Sequence, residues 1–178
     1  GGAAVALVED DVAALGAEPV LASANATDSL VRTVKDADAV VYLAPPAGLN
    51  PEEVARRLRD ACPSKLKAFV YGSSTSVYGR AEGVVDESTP PREPNEHGLE
   101  RLTMEHALAT AGLPLRVVRI AAIYGPGRTL RDGIQRQSVV LFDGGPKTSR
   151  IHVEDLARVL EAMALDGAPP LALACDEE

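Results

Sequence analysis

The sequence has no tryptophan, and aromatic residues make up only 3% of its 178 residues, so a core must be assembled from Val, Leu, Ile and Ala. It has two cysteines, Cys62 and Cys175, far apart and in no C-x-x-C pattern, which excludes a disulfide framework. Two such thiols read as buried structural groups in a reducing compartment, and the cytoplasm is the expected location. No apolar run reaches the ~18 residues of a membrane helix, and no signal-peptide pattern is visible. Excess positive charge is also missing: 18 basic against 26 acidic residues leave a formal charge of −8. With no basic stripe to displace counterions, nucleic acid and anionic membranes are excluded as partners, and a small-molecule substrate is expected. No metal site is expected.

What is present is an ordinary globular composition, 46% apolar and 25% charged, in a chain long enough for one domain with a real core. Short β-rich runs alternate with helical patterns. The runs are "AVALV" (4–8), "PVL" (19–21), "AVVYLA" (39–44), "KAFVYG" (67–72), "LRVVRI" (115–120), "VVLF" (139–142) and "LALAC" (171–175). They are apolar on both faces, as in a parallel sheet covered by helices.

The helices between them carry recognisable ends. Asn50-Pro51-Glu52-Glu53 supplies an N-cap, a Pro at the first helical position and a Glu able to reach back, and Pro63 stops the helix. A longer helix is expected from Asn95 to Gly112, with Leu99, Leu102, Met104 and Leu108 turned inward. "HVEDLARVLEAMAL" (152–165) places Val153, Leu156, Leu160 and Met163 at helical spacing. Strand and helix in repeated alternation predict a Rossmann-like, doubly wound parallel α/β sheet over a single domain, 1–178. One element is absent: no G-x-G-x-x-G turn follows a strand, and Gly1-Gly2 has neither a strand before it nor a helix after it.

Four segments in order resemble the extended, or atypical, short-chain dehydrogenase/reductases of the NAD-dependent epimerase/dehydratase type. "DAVVYLAPP" (38–46) is similar to that family's fourth strand and cofactor loop, and "FVYGSSTSVYG" (69–79) to its fifth strand and serine loop. "RIAAIYGPGR" (119–128) is similar to its R-P-x-x-V-Y-G-P-G segment, and "SRIHVEDLARVL" (149–160) to its R-x-I-H-V-x-D helix. The opening "VALVEDDVAALGAEPV" (5–20) resembles the second strand, short helix and third strand. The resemblance implies that the first strand and glycine-rich turn, about 25 residues, precede this sequence, and that a substrate lobe follows it. The alternative is a natural truncation completed by a partner chain.

The resemblance also implies site residues. A Ser or Thr four residues before the Tyr of V-Y-G falls on Ser74, which would hold the substrate oxygen. The alternative is that Ser73 to Ser76 only bond backbone groups at a strand end. The acid/base pair Y-x-x-x-K falls on His97 and Arg101, so both residues depart from the family pattern. Imidazole titrates near neutrality, about 6.5 against about 10 for a phenol, so His97 would be a base and a poor acid. Arg101 keeps the positive charge in a planar, bulkier group, and its contact to a nicotinamide ribose does not carry over automatically. The alternative makes both solvated residues near a helix start.

For the cofactor, NAD or NADP, Glu9 or Asp10 stands at the end of the implied second strand, where an acid would favour NAD. Ala44, Pro45, Ile120 and Ile123 would flank the nicotinamide. Thr75, Tyr124 and Arg128 would line the substrate pocket, Arg128 being suited to a phosphate or carboxylate. The function implied is an NAD(P)-dependent oxidoreductase or epimerase acting on a small hydroxyl or carbonyl compound, sugar-like by resemblance. The alternative is a catalytically silent dinucleotide-binding domain. A homodimer through the helix at 95–111 is also implied.

Overall fold

The structure, a computed structural model, describes residues 13–14, 16–20, 27–45, 50–135 and 149–176. Its elements run α1 (Thr27–Val34), β1 (Ala39–Tyr42), α2 (Pro51–Ala61), β2 (Ala68–Ser74), a 3-10 turn (Thr75–Tyr78) and α3 (Glu96–Thr110). They continue as β3 (Leu115–Ile120), β4 (Ala122–Tyr124), α4 (Leu130–Gln135), β5 (Arg150–His152), α5 (Val153–Ala164) and β6 (Leu171–Ala174).

Four strands form a parallel sheet in the order β1-β2-β3-β6, and β4 and β5 form a separate parallel pair. Strand β2 lies inside the described sheet, between β1 and β3, and is buried from Ala68 to Ser73. Its alternation sends Phe69 and Tyr71 to one face, where they pack with Val54 and Leu58 of α2 and Met104 and Leu108 of α3. Val70 goes to the other face, with Val118, Ile151, Leu156 and Met163. Both faces of the sheet are therefore apolar, as the uninterrupted hydrophobic runs require. With no Trp in the sequence, three rings pack together on the first face: Tyr42 lies 6.1 Å from Phe69 and 6.2 Å from Tyr71, centroid to centroid.

The helix ends follow local chemistry. Asn50 accepts from the Glu53 amide at 2.7 Å, and Asn95 accepts from the Gly98 amide at 2.9 Å, each satisfying one otherwise orphaned N–H. Arg116 donates to the carbonyls of Met163 and Leu165, closing the free end of α5 onto β3.

Several expectations need correction. Leu99 is 55% exposed rather than turned inward, because it lies beside the row of α3 (Gly98, Arg101 and Glu105) that meets the end of β2; Val153 is 43% exposed. Cys175 is exposed rather than in the core, since it follows the last paired residue of β6. Pro19 and Val20 belong to no strand and are exposed; Leu21 and the runs at 4–8 and 139–142 lie outside the described residues. The β4–β5 pair was not foreseen.

Candidate functional site

The site is built where β2 and β3 end. Period-two alternation splits the serine pair: Ser73 points with Tyr71 toward α3, and Ser74 points with Gly72 to the opposite side. There a groove of about 330 Å³ opens over the carboxyl ends of the strands, lined by Leu43, Gly72, Ser73, Ser74, Ile120 and Ile123, with Arg101 and Arg128 at its rim. Gly72 forms the floor. A Cβ there would lie 2.6 Å from Leu43 Cδ2 and 3.3 Å from Ile120 Cδ1, so these two side chains can close over the strand only because the residue is glycine.

The Ser74 hydroxyl oxygen accepts from the Ser76 amide at 3.1 Å. This bond uses a lone pair and leaves the hydroxyl hydrogen to donate into the groove. Arg101 donates from Nη1 to the Gly72 carbonyl at 3.1 Å and lies against the Tyr71 hydroxyl. Burial pushes the Tyr71 phenol up from its ordinary value, and the Arg101 guanidinium opposes that shift in part. Tyr42 behaves likewise, raised by burial with Arg101 again opposing.

Behind the serine turn lies a buried polar network. Ser73 Oγ donates to Glu105 Oε1 at 2.5 Å, and Arg119 donates to both Glu105 oxygens, at 3.3 Å from Nε and 2.8 Å from Nη2. Arg119 Nη1 also donates to the Tyr78 hydroxyl at 3.1 Å, and that hydroxyl donates to the Asp86 carbonyl at 3.3 Å. Burial works against the Arg119 charge, but the bonds to Glu105 and Tyr78 outweigh it and its pKa is raised. Gly79 closes the turn with φ +53°, and a Cβ there would meet the Arg92 and Glu93 carbonyls at 2.2 Å, which is why Val-Tyr is followed by Gly.

The candidate residues are distributed unevenly. Ser74, Arg101, Ile120, Ile123 and Arg128 line one groove. Leu43 forms its wall, while Ala44 and Pro45 are exposed beyond it. Thr75 lines a different cavity, of about 360 Å³, with Tyr78, Val85, Leu173 and Cys175. Tyr124 is drawn off by its neighbours: its ring meets His152 edge-on at 5.2 Å, and its hydroxyl bonds to Asp176, which raises its pKa. His97 has a side chain 86% exposed, 3.9 Å from Glu100. Glu9 and Asp10 lie outside the described residues. Sequence reasoning missed Ser73, Glu105 and Arg119 as a unit. Their signal was a Glu on the inward row of α3 and an Arg inside an apolar strand, each needing a buried partner.

A parallel sheet with its groove at the carboxyl ends of the strands and a helix-borne cation at the rim defines a Rossmann-like α/β protein. The chain belongs to the NAD dependent epimerase/dehydratase family, which it matches over residues 16–171. It is 30% identical over 128 residues to the protein YeeZ of Escherichia coli K12, covering 68% of this chain and 46% of that one. It is 26% identical over 125 residues to the uncharacterized UDP-glucose epimerase YtcB of Bacillus subtilis, covering 62% of this chain and 40% of that one. Among solved structures, a putative NAD-dependent epimerase/dehydratase from Methylobacillus flagellatus superposes with a TM-score of 0.72 at 28% identity, over 92% of this chain and 62% of that chain. The chain thus spans less than half the length of the two curated relatives. Among the described residues, no helix is long and apolar enough to cross a membrane.

Proposed function

We propose that this chain is the cofactor-holding part of an NAD(P)-dependent oxidoreductase of the epimerase type, acting on a hydroxyl or carbonyl of a sugar-like substrate. The observation that carries the reading is the convergence of Ser74 and Arg101 on one apolar-walled groove at the ends of β2 and β3. Leu43, Ile120 and Ile123 offer apolar surface on which one face of a nicotinamide could lie. When bound, the nicotinamide would supply hydride chemistry. The chain's own part is to orient and to hydrogen-bond. Ser74 donates its free hydroxyl hydrogen to the substrate oxygen; Arg101 offers its remaining N–H groups to ribose hydroxyls; Arg128 takes a phosphate or carboxylate. Thr75 and Tyr124 belong to the substrate side of the same proposal, and Glu9 or Asp10 at the adenosine end favours NAD over NADP. The sugar-like substrate class is supported by the name of the Bacillus relative.

A second reading, a catalytically silent dinucleotide-binding domain, is favoured by one observation: the exposed His97, expected to be the acid/base, is turned to solvent. NADH titration followed by fluorescence tests both readings. The proposal expects saturable binding by the wild type and at least about a tenfold loss, roughly 1.4 kcal/mol, in Arg101→Ala. Absence of saturable binding refutes both. Turnover of UDP-glucose or a related sugar nucleotide, reduced in Ser74→Ala, separates the enzyme from the silent binder, and unchanged turnover in His97→Ala removes His97 from the chemistry. A cytoplasmic location and a homodimer through residues 95–111, where Leu99 is exposed, complete the proposal; light scattering that finds a monomer at high concentration refutes the dimer.

A further inference from the structure

We infer that Glu105 and Arg119 are positioning residues for the groove, acting through Ser73 and Tyr78 to fix the turn that aims the Ser74 hydroxyl. Three grips from one face of α3 hold the end of β2 and the turn after it. At Gly98 the helix comes so close that a Cβ would lie 2.2 Å from the Ser76 carbonyl oxygen. One turn on, Arg101 donates to the Gly72 carbonyl at 3.1 Å, and one turn further Glu105 accepts from Ser73 at 2.5 Å. Gly72, Ser73 and Ser76 thus bracket Ser74 in the chain. From the neighbouring strand, Arg119 holds the Glu105 carboxylate on two oxygens and the Tyr78 hydroxyl at the far end of the same turn.

The network touches the groove only through Ser73, which lines it beside Ser74; its charged members, Glu105 and Arg119, are buried and do not line it. What it fixes is the backbone on either side of Ser74, and so the bond in which Ser74 Oγ accepts from the Ser76 amide. While that bond is kept, the hydroxyl hydrogen of Ser74 is directed away from the turn and is available as a donor. If Ser73 is released from Glu105, the turn has one anchor fewer, and Ser74 can rotate to satisfy other backbone groups instead.

The Ser76 amide reports this directly, whether or not a ligand binds. In Ser73→Ala, which deletes only the link between β2 and the network, amide exchange at Ser76 is expected to rise at least about fivefold. The amides of Val70 and Val118 in the flanking strands should change less than about twofold, and Ser73→Thr, which keeps a hydroxyl, should return Ser76 to the wild-type rate. Glu105→Gln should act in the same direction as Ser73→Ala; if it fails to fold, the Ser73 pair decides alone. Ser76 exchange that is unchanged in Ser73→Ala, or that moves together with Val70 and Val118, overturns the inference, because either result makes the network general core packing. The activity readout rests on the proposed function: because Ser74 holds the substrate oxygen, sugar-nucleotide turnover should fall with the change at Ser76. If the wild type turns over no sugar nucleotide, the functional reading fails while the exchange result still decides the positioning role. If turnover is equal in wild type and Ser73→Ala, the positioning role is overturned and the functional reading stands.

Discussion

Glu105 and Arg119 face each other across the sheet–helix boundary with side chains each 8% exposed, at 2.8 Å. Burial of this kind makes the pair asymmetric in its energetics. Two charges taken from water roughly break even when they are bidentate and fully bonded, but removing one leaves the other stranded. Arg119→Leu is therefore expected to cost about 3–5 kcal/mol, and the double variant Arg119→Leu/Glu105→Leu clearly less than the sum of the two singles. Urea unfolding of the four proteins measures this, and additive losses would mean that the carboxylate and guanidinium are solvated separately. The same residues show what the sequence made legible. A Glu and an Arg inside apolar segments announce a buried partner, but two candidates on different elements do not name each other. The i, i+4 spacing of His97 and Arg101 predicts one shared helix face, but the His97 side chain is turned to solvent. Only Arg101 reaches the strand end, because the row facing β2 is Gly98, Arg101 and Glu105, one step round the helix from His97.

At the scale of the element, α3 is set by its contact with the serine turn more than by its own propensity. Ala normally stabilises a helix interior over Gly by about 1 kcal/mol. At Gly98 the added Cβ would meet the Ser76 carbonyl oxygen at 2.2 Å and its carbon at 2.7 Å, both backbone atoms that cannot swing aside. Gly98→Ala is therefore expected to destabilise by about 1–3 kcal/mol, the usual range for overpacking, with the sign opposite to propensity. A thermal unfolding midpoint at or above wild type would mean that helix and turn separate without cost. Helix ends were readable because Asn-Pro-Glu-Glu and Asn95 carry their own capping chemistry. The β4–β5 pair was not, since three-residue strands in Ala122–Tyr124 and Arg150–His152 hold too few positions to establish a period. Alternation within β2 was readable in principle: it alone sends Ser73 to the network and Ser74 to the groove.

For the whole molecule, the parallel core was legible because its strands, buried on both faces, are continuous runs of Val, Leu, Ile and Ala. Edges are a different matter, because they depend on which segments lie beside which. Among the described residues β6 pairs only with β3, so its outer N–H groups face away from the sheet. One of them is covered from a distant part of the chain: the Leu173 amide donates to Glu87 Oε1 at 2.8 Å. Glu87 belongs to the loop that Tyr78 holds through the Asp86 carbonyl and that Asp86 folds by accepting from Ser88 and Thr89. A carboxylate bonded to an edge amide both satisfies the donor and sets a negative charge where another strand would have to dock. Glu87→Ala removes both effects while touching neither the groove nor the core. Exchange at the Leu173 amide should rise by about tenfold or more, and light scattering should detect self-association at concentrations where the wild type keeps its size. If Leu173 exchanges faster but the size is unchanged, the loop alone blocks the edge; if neither changes, Glu87 is not what covers it.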